Sequence, residues 1–391
     1  MEKILNKEIE TNKEEVFAST LKKVADNLEW IDANVNQTKI LVTEAPKKED
    51  IAGQNTLNFD GSISDYVDSL ESSSGATISD REAADDCYYD SRRFVVLDNK
   101  QIYPTFWTAQ KGLLDRRGCN CPAITGNYLI SRPIASVEEL FLNDSAARNK
   151  GTEKWGYLDG GMMSNVSASY VPLNCYEGYE VFLAEINKEW DDIEFSYGIL
   201  SYEGYLCDYE INDDIALDGL KNILTAQGIN VDSISAVARY TTSDSTLSAM
   251  AGDILYKING VTLHLNTRIG VNHIGDVSIE TFKNKIAGLG MLLKEAEDKI
   301  ESLGNLEIEN PKECLENALK KVSLYNRVGK QAVENLDLSD SFSALDIYIK
   351  VNEVCNATSN IESWSQAKTV EQTEIISRLL NANFNKLDKI S

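Results

Sequence analysis

The chain has 391 residues, with 38 Lys and Arg against 62 Asp and Glu, a formal charge of −24 and 42% hydrophobic residues. That composition is ordinary for a globular protein and excludes a wholly disordered or collagen-like chain. The negative balance opposes long-range attraction to nucleic acid or anionic membrane, although a local basic surface could still form.

No apolar run approaches the roughly 18 residues that cross a bilayer, so no membrane partner is expected. Met1 to Glu15 is charged and lacks the apolar stretch of a secretory signal, which points to a cytoplasmic location. The seven cysteines, Cys87, Cys119, Cys121, Cys175, Cys207, Cys314 and Cys355, are odd in number and scattered, so free thiols are expected. Only two histidines are present, His264 and His273, which limits imidazole catalysis and His-rich metal sites.

The first element reads as a helix. Phe17, Leu21, Val24, Leu28 and Ile31 recur at helical spacing and form one apolar stripe. From Pro46 to about Asp86 the chain is acidic and Ser-rich with few large apolar residues. Such a stretch buries little to offset its ordering entropy, so a linker or arm is expected, with a short helix around Ile63 to Leu70.

From about Arg92 to Val277 the apolar pattern has period two. It predicts strands at Phe94–Leu97, Tyr128–Ser131, Met162–Val171, Ile193–Leu200, Tyr205–Ile211, Ile234–Thr242, Ile254–Ile258 and Val261–Val271. Asn259-Gly260 is the strongest hairpin signal, because Asn-Gly suits the turn whose twist matches antiparallel strands. Glu203-Gly204 is a weaker one. Two helices interrupt the strands, one carrying Tyr179, Phe182, Leu183, Ile186 and Trp190, the other Ile215, Leu220, Ile223 and Leu224.

Beyond Ser278 the pattern is helical. Phe282, Ile286, Leu289, Leu293, Ala296, Ile300 and Leu303 form a heptad seam, within the chain or between subunits. Pro311 suits the first turn of the next helix, and further helices are expected at Phe342–Cys355 and Val370–Leu387. The expected fold is α+β: a central, mainly antiparallel sheet with helices on one face, followed by a helical C-terminal region. Its parts are an N-terminal helix and extension (1–45), an acidic polar arm (46–90), an α+β sheet domain (91–277) and a helical region (278–391).

The sharpest local anomaly is the window from Arg92 to Arg132, where Arg92, Arg93, Lys100, Lys111, Arg116, Arg117 and Arg132 face only Asp98 and Asp115. Tyr103, Phe106, Trp107 and Tyr128 are interleaved. Cations neutralise phosphates and aromatic faces stack on unpaired bases, so this composition suits a single-stranded nucleic-acid groove. The candidate contacts are Arg92, Arg93, Lys111, Arg116 and Arg117 for phosphate, with Tyr103 and Trp107 for stacking. The alternative is that the rings are core and the arginines pair with acids. The preceding nine acids between Asp60 and Asp90 could act as a counter-charge.

On the strand from Val261, the residues His264, Asn266, Arg268 and Asn272 share a polar face, which suits either ligand binding or solvent. His273 falls on the apolar face, where a packed, hydrogen-bonded imidazole is expected. Cys119-Asn120-Cys121-Pro122 lacks the further ligands that a zinc site needs. The acids Asp191, Asp192, Glu194, Asp208, Glu210, Asp213 and Asp214 sit near element ends, where solvated carboxylates are normal. Gly288-Leu289-Gly290 reads as a close helix contact. No phosphate-loop, serine-hydrolase or zincin motif occurs, so no metal, cofactor or catalytic residue is assigned and the chain reads more as a non-enzyme than an enzyme.

Several segments resemble the phage- and plasmid-associated family called domain of unknown function 932. They are Met163 to Leu173, Arg239-Tyr240-Thr241-Thr242-Ser243-Asp244, Val271-Asn272-His273-Ile274-Gly275-Asp276 and Ser343 to Tyr348, which together span about residues 155 to 385. The resemblance implies a mobile-element protein of the host-cell cytoplasm, and brings no catalytic residues with it. Two function classes follow. The first is a non-enzymatic protein binding nucleic acid, single-stranded DNA in particular, during replication or recombination. The second is a self-assembling structural protein, or an anti-defence protein that captures a host protein, with homo-oligomers forming through the helical C-terminal region.

Overall fold

The computed structural model describes residues 3–5, 8–42, 63–90, 93–97, 100–117, 139, 142–144, 151–245, 249–338 and 341–389. In chain order the elements are β1 (Glu8–Thr11), α1 (Glu14–Asn27), β2 (Glu29–Asn34), β3 (Lys39–Val42), α2 (Ile63–Ser74), β4 (Thr77–Ile78), α3 (Arg81–Asp90), β5 (Arg93–Val96), β6 (Gln101–Thr105), α4 (Trp107–Arg116), β7 (Thr152–Leu158) and β8 (Gly161–Ser167). There follow α5 (Cys175–Glu189), β9 (Ile193–Ser201), β10 (Gly204–Ile211), α6 (Asp214–Ala226), β11 (Ile234–Thr242), β12 (Ala249–Ile258), β13 (Val261–His264), β14 (Ile269–Asn272), α7 (Ile279–Ile286) and α8 (Leu289–Gly304). The last are β15 (Glu307–Ile308), α9 (Pro311–Lys321), α10 (Arg327–Glu334), β16 (Phe342–Ser343), α11 (Ala344–Glu362), α12 (Gln366–Ser377) and α13 (Phe384–Leu387).

The larger sheet is antiparallel in the order β1-β9-β10-β11-β12-β13, with β14 also pairing β12. Asn259 and Gly260 take φ of 50° and 82°, the left-handed pair that closes the β12–β13 hairpin. One face of this sheet buries Tyr205, Tyr209, Tyr240 and Ile254 in a single core with Phe17 of α1, Phe182 of α5 and Phe282 of α7. Gly198 allows α1 to come this close, since a Cβ there would lie 2.6 Å from the Phe17 ring. Leu315, Tyr348 and Leu380 belong to the same core, so the C-terminal helices are part of the sheet's own packing and not a separate body.

The smaller sheet runs β2-β7-β8-β6-β5-β3, with β4 pairing β6 in parallel. It encloses two further clusters, one around Val95, Tyr103 and Trp155 and one around Leu70, Cys87 and Phe94.

Several expectations are corrected. The N-terminal stripe ends early: Leu28 is extended and Ile31 lies in β2, because Glu29 to Asn34 pair with Thr152 to Tyr157 of β7. From Ile63 to Asp90 the acidic stretch is folded and not a loose arm. Val67, Leu70, Ala84 and Cys87 are buried, and Arg81 joins Asp68 and Glu71 at 2.8 Å each. Residues 46–62 and the expected strand Tyr128–Ser131 lie outside the described residues. The strand expected over Val261–Val271 is split at Leu265–Arg268, where the chain leaves the pairing with β12 and the Thr267 hydroxyl takes the Ile254 amide and carbonyl at 3.0 and 2.9 Å instead. All seven seam residues from Phe282 to Leu303 are buried within the chain, with a break at Ala287–Gly288 between α7 and α8. The expected helix Val370–Leu387 is likewise divided, by a tighter turn at Arg378–Asn381.

Candidate binding cleft

The second face of the larger sheet carries a row of polar side chains. Strand register places Tyr197, Asp208, Arg239 and Asp253 side by side on β9, β10, β11 and β12. Arg239 donates from Nε and Nη2 to the two oxygens of Asp208 at 2.7 and 2.8 Å, a planar fork-to-fork pair. Asp253 accepts from the Thr267 hydroxyl at 2.6 Å. Burial raises its pKa to about 6, against the opposing effects of that hydroxyl and of Arg268 and Arg239.

A cleft of about 470 Å³ opens over one end of this row. Tyr197, Ile199, Leu206 and Arg239 line it from the sheet. Glu8 and Glu10 line it from β1, with Glu203 and Trp107 beside the β9–β10 turn, and Trp364, Ser365, Gln366 and Thr369 come from the start of α12. Local packing holds these groups. Phe106 stacks on Tyr202 at 4.6 Å and 25°, which sets Trp107 at the first turn of α4 beside the cleft. Asp159 accepts the amides of Ile4 and Leu5 at 2.7 and 3.0 Å and the Tyr202 hydroxyl at 3.0 Å, so the chain entering β1 is tied to the same turn. Ser201 donates to Gln366 at 3.1 Å, joining α12 to β9.

Glu8 and Glu10 are two residues apart on a strand and so share a face. Neither has an ion pair or side-chain hydrogen bond among the described residues. Partial burial raises the Glu8 pKa, and the nearby charges of Glu10 and Glu203 add to that effect. Tyr197 is raised to about 12, by burial first and then by Glu10 and Glu8. Trp107 is 43% exposed. The Trp364 ring already carries the Lys368 ammonium 4.7 Å from its centroid. Carboxylates beside indole rings attract cations, through charge and through the ring quadrupole. Arg239 adds little net charge here because Asp208 neutralises it.

The basic window does not gather into a groove among the described residues. Arg93 and Arg117 are each 1% exposed and Tyr103 is 7% exposed. Arg117 reaches Glu153 and Thr38 at 3.4 Å, and Tyr103 donates to Gln101 at 2.6 Å while packing edge-on to Tyr157. These residues turn inward because β5, β6 and the end of α4 close the smaller sheet's core. Arg116 is half-buried, and Arg92 and the Lys111 side chain lie outside the described residues. Of those whose side chains are described, Trp107 alone lines the cleft.

The expected polar face of His264, Asn266 and Arg268 is also dispersed, because the strand breaks between them. His264 is 5% exposed, with its amide on Asn352 at 3.1 Å. Burial and the neighbouring Arg239 lower its pKa to about 3. Arg268 donates to Thr241 at 2.9 Å, and Asn266 is exposed. His273 is packed and hydrogen-bonded, with Nδ1 3.1 Å from the Val171 carbonyl and its ring stacked on Tyr170. Tyr170 donates to Asp244 at 2.8 Å, so three of the family-like segments meet at a buried joint between the two sheets.

Among the described residues no group of three or more His, Cys, Asp and Glu side chains is arranged to hold a metal. Asp208 is committed to Arg239, and Glu210 lies 3.8 Å from Lys257. No helix among the described residues is long and apolar enough to cross a membrane. Nothing local in the sequence marks Glu8, Glu10, Tyr197, Glu203, Arg239 and Trp364 as residues of one site; Glu203 stands out only as part of a turn and Arg239 only within a family-like segment. The alternation in Glu8-Ile9-Glu10-Thr11 was the available signal. No family model matches the chain, and no curated protein or solved structure matches it.

Proposed function

We propose that this chain is a non-enzymatic interaction protein that takes a basic segment of a partner protein into the cleft. The observation that carries this reading is the pair of carboxylates, Glu8 and Glu10, which have no partner among the described residues and line the cleft together with Glu203 and the indoles of Trp107 and Trp364. A lysine or arginine head entering there gains charge pairing and an aromatic face together. The overall charge of −24 favours encounter with such a partner and disfavours a polyanion.

Binding of single-stranded nucleic acid in replication or recombination has narrower support, namely the exposed Trp107 and the half-buried Arg116 on α4. Homo-oligomerisation through the helical region loses its strongest motive, since the heptad seam is spent inside the chain. Membership of the family called domain of unknown function 932, and a mobile-element origin with it, is proposed on the residue resemblance alone.

The test is calorimetric titration at low salt with two probes: a capped eight-residue peptide alternating lysine and valine, and a single-stranded oligonucleotide. The peptide is expected to bind and the oligonucleotide not, with at least tenfold weaker peptide binding for the Glu8→Gln/Glu10→Gln double variant. Oligonucleotide binding without peptide binding would overturn the reading.

A further inference from the structure

An edge strand presents unpaired N–H and C=O groups, and folded proteins commonly blunt such edges. The edges of these sheets are treated unequally. On β3, the Ile40 amide donates to Asn143 Oδ1 at 2.9 Å and the Ile40 carbonyl accepts from Asn143 Nδ2 at 2.8 Å. The Val42 amide donates to Glu139 at 3.2 Å. On β13, Asn352 accepts the His264 amide at 3.1 Å and the Tyr348 hydroxyl donates to the His264 carbonyl. Side chains thus imitate a further strand at both places.

β1 has no such cover. It pairs with β9 alone, and among the described residues neither strand nor side chain caps its other edge. Among the described residues the outer edge of β2 is also uncapped, but the hollow of about 310 Å³ beside it is lined by one carboxylate of theirs, Asp32, and so offers little charge selection.

We infer that the edge of β1 that the described residues leave uncovered takes up an extended basic segment of a partner protein as an added strand, with alternate Lys or Arg side chains set against Glu8 and Glu10. This rests on the interaction-protein reading and adds the main-chain half of the recognition. An added strand repeats its side-chain direction every second residue. Glu8 and Glu10 occupy the cleft face, while Ile9 is partly buried against the main core on the other. The matching segment therefore alternates basic and apolar residues. Opposite charges directly across a strand pair are favourable and like charges are not. That argues against a second copy as the occupant, because β1 paired with β1 would bring carboxylates against carboxylates. β-strand addition supplies affinity through the backbone and specificity through alternate side chains.

N-methylation separates this from simple side-chain capture. Three capped peptides of alternating lysine and valine are titrated into the full chain: one unmodified, one N-methylated at the lysines, one N-methylated at the valines. Each methylated peptide can pair through one edge only, and all three carry the same charge. The expected result is that one methylated isomer binds as the parent does and the other binds at least tenfold more weakly. If both methylated isomers bind like the parent, strand addition is overturned while side-chain capture stands. If both weaken equally, the one-sided edge is overturned. If the parent peptide fails to bind, the interaction-protein reading falls with it. A mass measurement showing a dimer that Glu8→Lys dissociates or tightens would assign the edge to a second copy and also overturn the inference.

Discussion

Arg239 and Asp208 face each other across β10 and β11, joined by two parallel hydrogen bonds of 2.7 and 2.8 Å. Asp208 is 4% exposed, so removing its partner would strand a buried charge. Breaking one side of a buried pair typically costs about 3–5 kcal/mol, whereas replacing both sides with apolar groups is often near neutral. Arg239→Met is therefore expected to lower unfolding stability by about 3 kcal/mol. The Arg239→Met/Asp208→Leu double variant should recover part of that loss. Urea unfolding checks both, and equal stability of the single variant and wild type would contradict this account of the sheet face.

Tyr170 links two groups whose titrations oppose each other. Its ring stacks on His273 at 4.8 Å and 8°, and its hydroxyl donates to Asp244 at 2.8 Å. Burial lowers His273 from 6.5 to about 4, with the Val171 carbonyl opposing, and burial raises Asp244 from 3.8 to about 6, with Tyr170 opposing. Folded His273 binds fewer protons than its unfolded form, so its contribution is full above pH 6.5 and is lost as pH falls towards about 4. Folded Asp244 binds its proton more readily than the unfolded chain, so its contribution is full below pH 3.8 and is lost as pH rises to about 6. Each effect amounts to about 3 kcal/mol at most. Relative to wild type, His273→Gln should lose stability more steeply as pH rises through this window, and Asp244→Asn should gain stability with rising pH. Unfolding curves at several pH values read the slopes, and parallel profiles for all three proteins would contradict the coupling.

The β12–β13 hairpin offers a purely conformational test. Gly260 has φ of 82° and nothing lies within 4 Å of a Cβ built on it. Gly260→Ala therefore meets no clash and suffers only the left-handed backbone penalty, about 1 kcal/mol. Urea unfolding should show that loss with an unchanged denaturant slope. No loss would mean that the turn relaxes freely.

How much the sequence revealed depended on whether structure was encoded locally. The Asn259-Gly260 turn, the stripe from Tyr179 to Trp190 and the Pro311 helix start were legible because a few neighbouring residues determine them. The burial of Phe282 to Leu303 was legible too, but the break at Ala287–Gly288 was not, since the apolar spacing runs through it unbroken. β1 was invisible because four residues, Glu8-Ile9-Glu10-Thr11, become a strand only by pairing with Gly198 to Ser201. The basic window misled for a related reason. Composition counts Arg93 and Arg117 but carries no information about their direction, and Glu153, which accepts Arg117, lies well along the chain. The cleft depends on side chains contributed by β1, the β9–β10 turn, β11, α4 and α12, and no local window contains that arrangement.

Charge reversal in the cleft tests the central claim most directly. In the Glu8→Lys/Glu10→Lys variant, titrated at low salt with alternating lysine–valine and glutamate–valine peptides, preference should invert: the basic peptide is lost and the acidic one gained, while unfolding stability stays close to wild type because both positions are exposed. Unchanged binding of the basic peptide by this variant would contradict the account.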